Sequence, residues 1–165
     1  PPPAIRPVML LRSVATLLLF ALPALLPGAV DIVRVWPAYR DADSFRRISE
    51  YLGGRENSGR EIVLRSQADE RAGYYFLTRV KSDLAIEGAN LVVEVVLPGN
   101  PAVRTFTFPA PIASGAKVYQ LGVTGTDWPA KNIRPAAWRV TARSTDGAIL
   151  AELASFLWSG PTAAK

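Results

Sequence analysis

Residues 137–158, AWRVTARSTDGAILAELASFLW, constrain the fold of this chain more than any other stretch. Two runs of alternating side chains flank Asp146-Gly147, a dipeptide that tolerates the positive φ a two-residue type I′ turn needs. Zipping outward from that turn pairs Arg143 with Leu150, Ala142 with Ala151, Thr141 with Glu152, Val140 with Leu153 and Trp138 with Ser155. Side chains alternate across a strand, so Trp138, Val140, Ala142, Ala151, Leu153 and Leu157 fall on one face. Arg139, Thr141, Arg143 and Glu152 fall on the other, with Arg139 diagonal to Glu152. Both strands agree on which side is core, and that agreement is what fixes register. The segment reads as the hairpin that closes a β-sandwich.

The rest of the chain repeats this grammar. Residues 31–36 (DIVRVW) form a short strand stopped by Pro37, and 61–66 and 73–80 follow as strands. Residues 81–88 are a loop with Leu84 and Ile86 packed beneath it. LVVEVVL at 91–97 is almost continuously apolar, which marks a central strand. After the turn 98–101, VRTFTF at 103–108 puts Phe106 and Phe108 on one face. KVYQLGVT at 117–124 groups Tyr119, Leu121 and Val123. One short helix is expected over 43–52: Asp43 caps it, Phe45, Ile48, Tyr51 and Leu52 share a face, and Gly53-Gly54 stops it. So short a helix must dock to persist, here on an edge or open end of the sandwich. The sum is an all-β chain of about eight strands. The pattern resembles an immunoglobulin- or fibronectin-like antiparallel β-sandwich, with a jelly roll as the second topology.

Residues 9–29 have the three parts of a secretory signal: Arg12, the apolar run 14–22, and small residues at Ala24 and Gly28-Ala29. Met9 is the one methionine and the expected start. The expected organisation is therefore a signal segment over 1–29, a single sandwich domain over 30–158 and a disordered tail over 159–165. The product is expected to be extracytoplasmic, periplasmic or secreted. Membrane contact is expected only if the segment 1–29 stays uncleaved, a short span interrupted by Pro23 and Pro27.

The chain has no cysteine and no histidine. Thiolate nucleophiles, Cys-ligated zinc, a Ser-His-Asp triad and an HExxH site are thereby excluded. The formal charge is +5, from a basic set dominated by arginine. Between Arg40 and Arg79 the arginines alternate with acids, the mark of a mixed, solvated surface rather than a nucleic-acid stripe. No nucleic-acid partner is expected, and no cofactor or metal.

Asp41 and Asp43 form a DxD pair of the kind that can share a hard cation, but their place before a helix suits capping. A carboxylate-dependent hydrolase would need two acids across a cleft, drawn from Glu50, Glu56, Glu61, Glu94 and Asp127. Glu94 stands out because it interrupts an apolar strand, and a strand arginine such as Arg79 or Arg104 would pair it. Trp138 reads as core. Trp128, with Asp127, Asn132 and Arg134 around it, and Trp36 and Tyr39, which bracket Pro37, form a candidate ligand patch; alternatively, loop tryptophans plug the sandwich ends. Phe156 and Trp158 lie opposite the hairpin core. The expected function is a non-catalytic binding module that contacts a protein partner through a sheet edge or the loop end. A polysaccharide bound by Trp128, Trp36 and Tyr39 is the alternative, and the small hydrolase comes third.

Overall fold

The structure, a computed structural model, describes residues 30–45 and 62–158. Within them the chain is built almost wholly of strands, in two four-stranded sheets that face each other. One sheet has the order β1-β3-β6-β2, from β1 (Val30–Arg40), β2 (Ile62–Arg65), β3 (Gly73–Ser82) and β6 (Gly115–Thr124). The other has the order β5-β4-β7-β8, from β4 (Asn90–Leu97), β5 (Asn100–Pro109), β7 (Ala137–Arg143) and β8 (Ile149–Ala154). Every pairing is antiparallel except β2 on β6, which is parallel, so the sandwich is not uniformly antiparallel. Edge strand β1 also packs against edge strand β8 of the opposite sheet.

The alternation read from the sequence builds the core. Tyr74, Phe76 and Val80 of β3 face Leu91, Val93 and Val95 of β4, with Tyr119, Leu121 and Val123 of β6 beside the first set and Val140 and Ala142 of β7 beside the second. β4 lies between β5 and β7, and from Leu91 to Leu97 it is apolar on both faces except at Glu94. Phe108 is buried, and Phe106 packs against the core from the same face of β5.

The closing hairpin forms with the central register expected: Val140 opposite Leu153, Thr141 opposite Glu152, Ala142 opposite Ala151. Its turn is different. Gly147 alone has positive φ (85°), Gly147 N–H donates to Ser144 O and Ser144 N–H to Ala148 O. That is a three-residue loop, a type I turn closed by a glycine bulge, rather than a two-residue type I′ turn. The extra residue shifts the register, so Arg143 pairs with Ile149 and not with Leu150. Asp146 accepts the Ser144 hydroxyl, which holds its carboxyl below the usual range. The turn therefore gains from Asp146 at neutral pH and loses that gain as acid protonates it.

Other expectations change with the ladder. β1 runs through Pro37 to Arg40, because an edge strand accommodates a proline whose missing N–H would face outward. Leu84 is exposed rather than packed, while Ile86 forms an isolated bridge with Ile112. Leu157 is 68% exposed, not core: the chain leaves the ladder at Ser155, whose carbonyl accepts the Trp158 N–H. Of the expected 43–52 helix, Ala42–Phe45 forms a 3₁₀ turn and the remainder lies outside the described residues. Phe45, the described member of the expected apolar face, lies against Tyr75 on the outer face of a sheet. The segments 1–29 and 159–165 also lie outside the described residues. Among the described residues no helix is long and apolar enough to cross a membrane.

Tyr75 points away from the sandwich interior yet is fully buried. Its hydroxyl donates to Arg71 O at 2.7 Å and accepts from Arg65 Nε at 3.0 Å. Its ring lies over Gly122 on β6, the residue directly opposite it in the ladder. A Cβ at 122 would collide with that ring closer than van der Waals contact allows. Gly122→Ala is expected to cost about 1–3 kcal/mol of unfolding free energy, measured by urea denaturation. A change within about 0.5 kcal/mol would show that the Tyr75 ring moves freely and that this outer layer is not fixed.

Candidate functional site

One end of the sandwich collects the C-terminus of β1, the start of β3 and the loop 125–136 that joins β6 to β7. The loop opens with a 3₁₀ turn over Gly125–Asp127, closed by Trp128 N–H on Gly125 O. It is pinned farther on by Ile133 N–H on Ala130 O and Ala136 N–H on Val96 O at 2.8 Å. Trp128 turns inward and is 5% exposed. Its indole stacks on Tyr74 with ring centroids 4.5 Å apart. It plugs the end of the sandwich, as the structural alternative for a loop tryptophan required, and presents no free face to solvent.

Over this plug lies a cleft of about 330 Å³, lined by Pro37, Ala38, Tyr39, Tyr74, Lys131 and Arg134. That volume falls at the small end of ligand pockets, about 300–1,000 Å³. Its electrostatics are uneven. Lys131 Nζ meets Asp41 Oδ2 at 2.7 Å and sits 5.9 Å from the centre of the Tyr39 ring. The Asp41 carboxylate, by hydrogen bond and by charge, raises the Lys131 pKa. Among the described residues, Arg134 has neither a carboxylate nor an aromatic ring as partner. Burial raises the Tyr74 phenol above its ordinary pKa, and the positive charge of Arg134 opposes that rise.

Of the six residues read from the sequence as a patch, two, Tyr39 and Arg134, line this cleft, and Trp128 lies beneath it. Asp127 and Asn132 belong to the same loop but not to the cleft wall. Trp36 is 39% exposed and lies on the outer face of β1, with the Arg34 guanidinium 4.9 Å from its ring centre. Trp36, Tyr39 and Trp128 therefore do not form a common ring platform. Sequence reading missed Tyr74 and Lys131. Lys131 was accessible as a second cation three residues before Arg134 in a loop bounded by Pro129 and Pro135.

The strand acid Glu94 faces outward from β4 and pairs with its direct cross-strand neighbour Arg139 on β7, Nε to Oε2 2.7 Å. The partner is Arg139, neither Arg79 nor Arg104. Glu152 approaches the same guanidinium at 3.9 Å, the diagonal contact expected from the hairpin. The Trp158 ring centre lies 5.0 Å from it. Glu94 and Glu152 thus share one cation on the outer face. Among the described residues there is no group of three or more Asp, Glu, His or Cys placed to hold a metal.

No protein-family model matches the chain, and no curated protein or solved structure is significantly similar to it.

The role of Trp128 as a plug is open to measurement. Trp128→Ala is expected to cost about 3–5 kcal/mol, read from denaturant unfolding. A variant keeping Trp128 as its sole tryptophan should resist iodide quenching. Ready quenching together with a loss under about 1 kcal/mol would mean the ring is not packed on Tyr74.

Proposed function

We propose that this chain is a non-catalytic, extracytoplasmic interaction module of immunoglobulin- or fibronectin-like connectivity that grips a protein partner with the cleft between 37–39 and 131–134. The connectivity is supported by the hairpins β4–β5 and β7–β8 in one sheet and by crossings between sheets at β3–β4, β5–β6 and β6–β7. The parallel strand β2 is an addition to that plan. The extracytoplasmic location rests on the signal-like residues 9–29.

The observation that carries the binding role is convergence. Side chains more than ninety positions apart, from an edge strand and a long loop, meet around one concave surface at the loop end. Loops on a rigid sandwich are where binding groups are most readily placed. Protein contact is favoured over ring-stacked sugar because Trp128 is covered by Tyr74 and Lys131 sits against the Tyr39 ring.

Site-specific photo-cross-linking in the native host tests this. A cross-linker at position 39 should capture a discrete protein adduct, and one at position 118 on the outer face of β6 should not. Adducts from position 105 on β5, with none from 39, would replace the cleft by a sheet edge. Separately, fractionation and N-terminal sequencing should find the chain outside the cytoplasm without its leader; a full-length cytoplasmic product would overturn the location.

A further inference from the structure

We infer that the cleft binds the carboxylate of an acidic peptide segment, with Arg134 as its counter-ion and Tyr39 and Tyr74 as its walls. This rests on the cleft being the contact surface proposed above. Most of the other described arginines are engaged with a ring or a carboxylate. Arg34 lies over Trp36, Arg40 and Arg65 lie over Phe45, and Arg104 lies over Phe106. Arg139 serves both Glu94 and Trp158. Among the described residues Arg134, like Arg79 and Arg143, does neither, and it is the one of the three that lines this cleft, where a concave surface would sharpen its field.

Charge count selects the kind of anion. Lys131 is matched by Asp41, so among the described residues the cleft offers one uncompensated positive charge. One carboxylate balances it, and the planar guanidinium can hold that group through two parallel hydrogen bonds. A dianionic phosphate would be left with surplus charge facing Asp41. An acidic sugar would want an open ring face beside the cation, and the Tyr39 and Trp128 rings are engaged elsewhere. An acidic side chain on a peptide needs only the depth and the cation.

The test is an NMR titration of the full chain at neutral pH and low salt, with tetraglutamate, tetraglutamine, trigalacturonate and inorganic phosphate as probes. Tetraglutamate should shift amides at 37–39 and 131–134 to saturation, and tetraglutamine should not. Arg134→Gln should weaken tetraglutamate at least about tenfold, the scale of a lost charge-assisted pair. Asp41→Asn, which releases Lys131, should tighten it about two- to fivefold. Both positions are exposed, and the amide dispersion of each variant reports that it has folded.

Equal response to tetraglutamate and tetraglutamine, or unchanged affinity in Arg134→Gln, would overturn the inference. So would tighter saturation at 37–39 and 131–134 by trigalacturonate or by phosphate, each identifying a different anion. If position 39 still cross-links a partner while tetraglutamate is silent, the cleft stands and the acidic peptide falls. Cross-links confined to position 105 would remove the cleft itself.

Discussion

A line of stacked and edge-on aromatic rings holds the two sheets and the end loop together. Trp128 from the β6–β7 loop lies on Tyr74, Tyr74 tilts against Phe76 at 5.5 Å, and Phe76 meets Trp138 of the opposite sheet edge-on at 6.0 Å. Such contacts stabilise by about 0.5–1.5 kcal/mol each beyond the area they bury. Their placement matters more than their sum. The 125–136 loop is long and has little regular structure, so its order depends on what it buries. Trp128 supplies the buried anchor, with Ile133 packed against the core as well. Its Nε1–H finds no acceptor inside the described structure, a cost on the order of 1–3 kcal/mol that the buried ring must exceed. Once Trp128 is fixed, Lys131 and Arg134 follow within six residues, and the cleft is set by the packing beneath it.

The β1-β3-β6-β2 sheet is also covered over part of its outer side. Tyr75 and Gln120 point outward yet are almost fully covered, and Gln120 accepts from Arg40 Nη1 at 3.0 Å. Phe45 lies 4.7 Å from Tyr75, between the guanidinium groups of Arg40 and Arg65. Guanidinium groups stack on rings while keeping their edges free for hydrogen bonds, which lysine cannot do. The arginine-rich composition therefore has a structural use here: it seals aromatic side chains on a face that would otherwise lie open.

What the sequence made legible was local pairing and parity. The alternation in 137–143 and 149–154 gives the correct core face and the correct partners for Val140, Thr141 and Ala142. Asp-Gly, however, serves a type I′ turn and a type I turn with a glycine bulge equally well. The two differ by one residue, and so the dipeptide alone gives Arg143 the wrong partner. Leu157 departs from its expected face for a related reason: periodicity cannot show where a strand stops, and Ser155 ends this one by turning the chain. The partner of Glu94 is hidden differently. That a strand arginine pairs it follows from pattern, but Arg139 in particular follows only from β7 lying beside β4, a matter of topology. The site is half legible for the same reason. Tyr39 and Arg134 stand out as exposed types in loops, whereas Tyr74 reads as an ordinary strand residue until β1 is laid beside β3.

Pro37 ties the edge to the cleft. An exposed edge strand invites another strand, and β1 is eleven residues long. Its register shifts between Ile32 and Arg34, which breaks the free edge near its start. Pro37 removes a donor farther along, and the same ring forms part of the cleft wall beside Ala38 and Tyr39. β8 packs against β1, and β2 has only four residues. On the proposed reading, a partner approaching this side meets an edge that resists pairing and, at its end, a concave surface with a cation that has no carboxylate partner among the described residues. Contact there would be read through side chains rather than a shared ladder. Its strength would then fall with added salt, whereas strand addition, held by backbone hydrogen bonds, would be far less sensitive.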